Sequence, residues 1–419
     1  MRAALAGLTT RGRCLLAAGA ALLVCAVLLG QRDLLRAAIF LLALPLAAVF
    51  VVARTRYRLA CTRLLDPPRV GAGQPSTVRL HLDNVSRLPS GVLLMEDALP
   101  YALGGRPRFV LDRVEPKGVR EVSYPVRAEV RGRYRVGPLS VLLTDPFGLC
   151  ALTRSFAATD DLVVTPVVTP LPAVRLGGDW GGGGDASARS VAVAGSEDAA
   201  TRAYRHGDDL RKVHWRSTAR VGELMVRREE QPSQSRATLL LDCRAYAHRG
   251  DGPGSSFEWA VSALASIGVA LNRTAFALRL LTDSGHDLLP AAVPTSEGAL
   301  LDALAAVPTS RSTTLEPAGE QLRRTGVDGV LVAVLGAVEP ADVEQLSRLR
   351  HGSTACVAVL LDTDTWAAGS PGRTGGQDAA AALLASAGWR VLRVPHGTTL
   401  ASVWPLAGSQ HGRTEVPTA

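Results

Sequence analysis

Lysine is nearly missing from this chain: Lys117 and Lys212 stand among 46 basic residues, and all the others are arginine. With Ala, Gly and Arg so abundant, this is codon usage in a GC-rich genome, and arginine content alone points to no ligand. Aromatic residues are scarce, at 5%. The six cysteines form no CxxC pair and are scattered, which gives neither a disulfide framework nor a zinc site. No GxxxxGK[ST] string occurs, so no phosphate-cradling loop is indicated, and HExxH and HxH spacings are absent too. The body of the chain also lacks net charge. Residues 1–63 hold nine Arg against the single acid Asp33, while the rest carries 37 residues of each sign. The net +8 is therefore N-terminal. A general nucleic-acid binder would carry its basic footprint on a folded domain, so nucleic acid is not an expected partner.

What the chain has is apolar mass: 47% hydrophobic residues over 419 positions, enough for about two to four domains with cores of their own. Residues 14–30 and 37–53 are uninterrupted apolar stretches joined by the short QRDLLR connector. At ~1.5 Å per residue each is about 26 Å long, close to the ~30 Å hydrocarbon core of a bilayer. Residues 1–58 are thus expected to form a transmembrane hairpin, with Pro45 tolerated inside the second span. Arg2, Arg11 and Arg13 precede the first span and Arg54, Arg56, Arg58 and Arg63 follow the second. The positive-inside rule then places both termini and the soluble domains in the cytoplasm.

Residues 59–170 read as β. The segment 76–86 alternates Val78, Leu80 and Leu82 with Arg79, His81 and Asp83, and 119–130 and 133–145 behave alike, with Pro/Gly turns about every ten residues. An all-β sandwich is expected. Residues 171–200, with GGGG at 181–184, read as a flexible Gly/Ala/Ser linker, and 409–419 as a disordered tail. From 237 to 408, continuous Val/Leu runs (238–242, 275–283, 329–336, 354–362, 389–394) alternate with helical segments (257–271, 296–307, 340–350, 379–388). Such strands are buried on both faces, so a mainly parallel, Rossmann-like α/β domain is expected, with ligands at the strands' carboxyl ends.

Between the two domains, residues 201–236 hold the densest set of polar functional groups, within YRHGDDLRKVHWRSTARVGELMVRREEQP at 204–232. Gly207-Asp208 reads as a helix start, with Asp208 as N-cap and Asp209 in the first turn. Arg211 lies one turn before Trp215, within cation–π reach. One reading makes this a charged, capped helix that packs the domains together or docks a partner. The other gathers His206, Asp208, Asp209 and His214 as metal ligands or acid–base groups of a metal-dependent enzyme.

The same string closely resembles the signature of the "domain of unknown function 58" family of bacteria and archaea, through Tyr204, Arg205, Gly207, Asp208, Asp209, Arg211, His214, Trp215, Arg216 and Gly222. Upstream matches are Arg131-Gly132-Arg133-Tyr134, Gly137-Pro138, Asp145-Pro146-Phe147-Gly148-Leu149 and Thr165-Pro166. The resemblance implies paired membrane helices, a β-sandwich and a von Willebrand factor A-like α/β domain in the bacterial inner membrane. It also implies company: a MoxR-type AAA+ ATPase and sometimes a transglutaminase-like membrane protein. It implies no enzymatic activity.

A von Willebrand A domain binds Mg²⁺ through DxSxS after its first strand, hard oxygen ligands suiting that ion. Here the string is Asp242-Cys243-Arg244-Ala245-Tyr246, with Arg244 and Tyr246 in place of both serines, and Gly336 ends the strand where a third-loop Asp belongs. Asp283 and Asp362 end other strands. The site is expected to be degenerate, without metal or cofactor. The overall expectation is a membrane-tethered, non-enzymatic adaptor. A Mg²⁺-dependent protein-binding module is a further alternative.

Overall fold

The computed structural model describes residues 7–54, 59–174 (apart from 88, 91, 113 and 146), 176, 201–204, 213, 215–227, 235–289, 296–327, 329–350, 354–366 and 374–408. The chain divides into two compact units, Met1–Val167 and Val168–Ala419.

The first unit begins with α1 (Thr10–Leu29) and α2 (Arg32–Arg54). Both are long and apolar enough to cross a membrane. Thr9 caps α1, its Oγ accepting from the Gly12 N–H at 3.3 Å, and Gly30 ends the helix in the left-handed region at φ 65°. α2 approaches α1 closely at Gly19. Gly12, Gly19 and Ala26 are the buried positions of α1, and a Cβ on Gly19 would stand 2.9 Å from Leu42 Cγ. The QRDLLR connector is shorter than its sequence implies: α2 takes Arg32 to Arg36, with Asp33 in its first turn and paired to Arg36 at 3.1 Å.

Ten strands follow among the described residues: β1 (Leu59–Asp66), β2 (Arg69–Gly71), β3 (Pro75–Asn84), β4 (Leu93–Asp97), β5 (Arg108–Leu111), β6 (Val119–Arg127), β7 (Gly132–Val136), β8 (Leu139–Thr144), β9 (Ala151–Phe156) and β10 (Asp160–Thr165). They form three sheets, β1-β3-β6, β2-β10-β7 and β5-β4-β8-β9. One core joins all three, built from Val78, Leu80 and Leu82, Met95, Val126, Val136, Val141 and Leu162. The alternation seen in 76–86 is the burial alternation of β3. The segment 133–145, which reads as one run, is two strands in different sheets. The break falls at Gly137, whose φ of 100° suits glycine and whose Cβ would sit 2.7 Å from an Arg63 guanidinium nitrogen.

In the second unit β11 (Thr201–Ala203) pairs antiparallel with β12 (Met225–Arg227), and α3 (Trp215–Val221) lies between them in sequence. The main sheet contains β13 (Arg236–Leu241), β14 (Ala277–Thr282), β15 (Asp287–Leu289), β16 (Val330–Leu335), β17 (Ala355–Leu361) and β18 (Arg390–Val394), in the order β15-β14-β13-β16-β17-β18. All neighbours are parallel except the β14–β15 edge pair. Alternate residues along each strand feed opposite cores. Leu239, Leu241, Val332, Val334, Val357 and Val359 pack toward α4 (Ser256–Arg273) and α5 (Glu297–Ala306). Leu240, Leu331, Ala333, Leu335, Ala358 and Leu360 pack toward α6 (Glu316–Thr325), α7 (Pro340–Ser347) and α8 (Thr374–Ser386). A short α9 (Leu400–Val403) follows β18. This two-sided burial explains why the strands read as continuous apolar runs.

Two expectations need correction. Leu171, Val174 and Leu176, within the expected linker, pack against the α/β core; 175, 177–200 and the 409–419 tail lie outside the described residues. Helix α6, EPAGEQLRRT, has no counterpart in the sequence reading because its polarity hides a short buried stripe of Ala318, Gly319 and Leu322.

Candidate functional site

The strand order reverses between β13 and β16, and the crevice beyond their carboxyl ends is where ligands of such sheets sit. Asp242 leaves β13 at this point and Gly336 leaves β16. The crevice is filled by the chain itself. Arg244, with no exposed surface, turns back into it: its Nε and Nη2 each lie 2.9 Å from the two Asp242 carboxylate oxygens. Nη1 donates to Asp342 Oδ2 at 2.7 Å and to the Tyr246 hydroxyl at 2.8 Å, and Nη2 also reaches Ala337 O at 3.3 Å. These five bonds use every N–H the guanidinium has. Burial alone would lower the Arg244 pKa, but hydrogen bonds and charge from Asp242 and Asp342 outweigh it and raise it.

The acceptors are equally committed. Asp242 also takes the Arg244 and Gly336 backbone N–H groups, at 3.1 and 3.2 Å. Asp342 takes those of Leu315 and Glu339, at 3.2 and 3.1 Å. Tyr246 passes its proton on to Thr313 O at 2.9 Å. A divalent cation needs carboxylate oxygens that are free to face it. Here a built-in cation holds them, so this donor set does not fit a metal. Sequence reasoning placed Asp242, Arg244 and Tyr246 together but missed Asp342. Its signal was the EPAD string, in which Glu339 and Asp342 form the capping box of α7.

Behind this cluster, His248 holds the loop after β13. Its Nε2 lies 2.8 Å from Asp242 O, an acceptor only, so that nitrogen carries the proton; Nδ1 then accepts from Ser256 Oγ at 3.1 Å. Burial pushes the imidazole pKa below its ordinary 6.5, the Asp242 charge offsetting this in part. The unfolded chain therefore binds this proton more readily. The His248 contribution to stability is present above pH 6.5 and is lost as pH falls below it. Urea unfolding between about pH 7.5 and 5.5 should show that decline, and His248→Gln should flatten it. An unchanged slope in the variant would acquit the histidine.

Other polar groups at the carboxyl edge are less tied. Asp283, fully buried at the end of β14, accepts from Ser310 Oγ at 2.6 Å through Oδ2, while its Oδ1 has no partner among the described residues. Burial pushes the Asp362 carboxyl above its usual range. An aromatic cleft of about 380 Å³ opens near the start of α4, lined by Trp259, Trp366 and His396 with Ser255, Ser262 and Thr398. Trp366 meets both Trp259 and His396 edge to face, with centroids 6.5 and 5.2 Å apart.

The central string is only partly described. Arg205, His206, Gly207, Asp208, Asp209, Arg211 and His214 lie outside the described residues, as does the expected helix start at Gly207-Asp208. Tyr204 donates its N–H to Leu224 O at 2.7 Å, closing the β11–β12 ribbon. Val213 is buried and bridges Val226. Gly222 ends α3 at φ 81°, its N–H on Thr218 O. Arg216 is exposed on α3. Trp215, which opens α3, is 71% exposed.

Residues 200–366, which contain this string and the Arg244 crevice, match the family model described as "Protein of unknown function DUF58". This segment belongs to the DUF58 family. No curated protein matches the chain. Among solved structures, the CARDB domain of the PF1109 protein from Pyrococcus furiosus, in complex with di-metal ions, is 13% identical, with a TM-score of 0.20 over 26% of this chain and 93% of that one. The complex of zinc 2-glycoprotein and prolactin inducible protein from human seminal plasma gives 13%, 0.21, 26% and 98%. At these scores neither bears on the DUF58 segment's fold or chemistry.

Proposed function

We propose that this DUF58 chain is a membrane-tethered, non-enzymatic adaptor whose second unit recruits a protein partner. The observation that carries the reading is the Arg244 crevice. The place where an α/β sheet offers a ligand its polar groups is here satisfied by the chain's own guanidinium, to the last N–H. A second support is Trp215, a large exposed aromatic beside exposed Arg216, the residue types that dominate protein interfaces. On this reading the second unit is von Willebrand factor A-like, with its metal position taken over by arginine. The hairpin spans the bacterial inner membrane with both termini cytoplasmic. The partner the family resemblance favours is a MoxR-type AAA+ ATPase, with a transglutaminase-like membrane protein as a further associate.

Trp215 makes this testable. Because the ring is exposed, Trp215→Ala should leave stability within about 0.5 kcal/mol of wild type. As an interface anchor its loss should weaken partner capture about ten-fold or more in co-purification from gently solubilised membranes. A stable variant that captures the ATPase undiminished would remove the docking face. Stoichiometric divalent metal in the purified chain, lost in His206→Ala or Asp208→Asn together with a turnover activity, would establish the enzyme instead.

A further inference from the structure

The first unit contains a feature that tethering alone does not call for. The turn between β8 and β9, residues 145–150, is built into the base of the helical hairpin. Asp145 shapes it, its carboxylate accepting from the N–H of Phe147 at 3.0 Å and of Cys150 at 2.5 Å. The turn then pairs with the strand-like residues before α1. Leu8 bridges Cys150 antiparallel, the Ala151 N–H reaches Gly7 O at 2.8 Å, and the Thr9 N–H reaches Leu149 O at 3.0 Å. Thr9 Oγ donates to Gly148 O at 2.7 Å. Gly12 allows this closeness, since a Cβ there would stand 2.4 Å from Leu149 O. Leu149 and Cys150 are buried against Ala48 and Val49, with Leu8, Leu15 and Leu44 around them.

Leu15 and Leu44 belong to the two apolar stretches. Leu15 lies one helical turn, roughly 6 Å, past Arg11. The turn therefore touches the helices at the depth where headgroups give way to acyl chains, about 5–10 Å in. Phe147 is 64% exposed on a turn in which Leu149 and Cys150 are buried. Arg11 lies beside the next residue of the turn: a Cβ on Gly148 would stand 3.9 Å from the Arg11 guanidinium. An exposed aromatic next to an arginine at a helix end is the pairing that suits a lipid interface, ring among the acyl carbonyls and cation on phosphate.

We infer that the 145–150 turn sits in the membrane interface, with Phe147 as a lipid-facing anchor and Arg11 as its phosphate contact. The inference rests on the hairpin crossing a bilayer. Its occupant is the phospholipid interface because the surface is continuous with the hairpin's own lipid-facing side. The turn would thereby fix the β unit against the membrane rather than leave it on a swivel.

All six native tryptophans lie at residue 180 or beyond, so a Trp introduced into the first unit reads out by difference from wild type. The full chain is reconstituted alone in phosphatidylglycerol-containing vesicles as Phe147→Trp and, as the span control, Val24→Trp, whose native side chain is 59% exposed on α1. Because Phe147 is 64% exposed, the exchange replaces one exposed aromatic ring by another. The added Phe147→Trp emission should fall about two-fold with lipids brominated near the headgroup end of the acyl chain, and Val24→Trp likewise with lipids brominated near the chain terminus. Quenching of Val24→Trp without Phe147→Trp would overturn the inference while leaving the tether intact. Silence from both would overturn the tether, and the inference with it.

Discussion

Arg244→Ala should cost the second unit about 3–5 kcal/mol, among the largest losses available to a single substitution in this chain. The guanidinium is the only cation bonded to Asp242 and Asp342 among the described residues, and both carboxylates are buried. Removing it leaves two like charges facing each other without a counter-ion. Arg244→Lys should recover part of the loss, because an ammonium restores charge but cannot present the fork that spans both oxygens of Asp242 while reaching Asp342. Since every tryptophan lies beyond residue 179, their fluorescence during urea unfolding follows this unit without interference from the first. Millimolar Mg²⁺ should leave the wild-type midpoint in place, because the oxygens it would seek are already bonded. A micromolar site would add several kcal/mol at that excess, so a saturable rise abolished by Asp242→Ala would reopen the metal reading.

How far this was readable from sequence differs from element to element. The α/β sheet was legible because strands buried on both faces, such as VLVAVL at 330–335, leave a signal that needs no tertiary information. The apolar helices were legible for the same reason, although the boundary at Arg32 was not, since a helix can start on polar residues once Asp33 favours its first turn. The Asp242–Arg244–Tyr246 part of the site lies within five residues and was visible as a departure from a metal-binding pattern. Asp342 was not, being brought in from 98 residues away by the β13–β16 pairing. The aromatic cleft was equally hidden: Trp259, Trp366 and His396 come from three segments that meet only at the sheet's carboxyl edge. The anchoring turn at 145–150 shows the same limit. Its residues were noted as a match to a family string, but the string cannot say that Gly12 must be small to receive it.

The second large effect belongs to the first unit, where Asp97→Ala should also cost about 3–5 kcal/mol. Asp97 is fully buried at the end of β4, and three donors converge on it. Arg63 of β1 donates from Nη2 to Oδ1 at 2.7 Å and from Nε to Oδ2 at 3.3 Å, and the Tyr124 hydroxyl of β6 donates to Oδ2 at 2.5 Å. The carboxylate thus ties together strands from two sheets that share one core. Arg63 keeps a second carboxylate, Asp160, at 3.1 Å, but that side chain is 41% exposed, so Asp160→Ala should cost no more than about 1 kcal/mol. The contrast between the two aspartates separates burial from mere pairing. Tyr124 adds a pH signature, because burial first, then the hydrogen bond and charge of Asp97, raise its pKa above the ordinary 10.0. A raised folded-state pKa contributes stability that is complete below pH 10 and declines as pH rises past it, since the unfolded chain gives up the proton first. The first unit has no tryptophan, so far-UV circular dichroism in the β region, recorded beside tryptophan emission, distinguishes its unfolding from that of the second. Alkaline titration should lower its midpoint, with the Cys61 and Cys150 thiols, also raised by burial, contributing, and Tyr124→Phe should reduce the slope above about pH 10 at the cost of one hydrogen bond, about 1 kcal/mol. Equal losses for Asp97→Ala and Asp160→Ala, or an alkaline slope unchanged in Tyr124→Phe, would mean that the Arg63 cluster does not hold these sheets together.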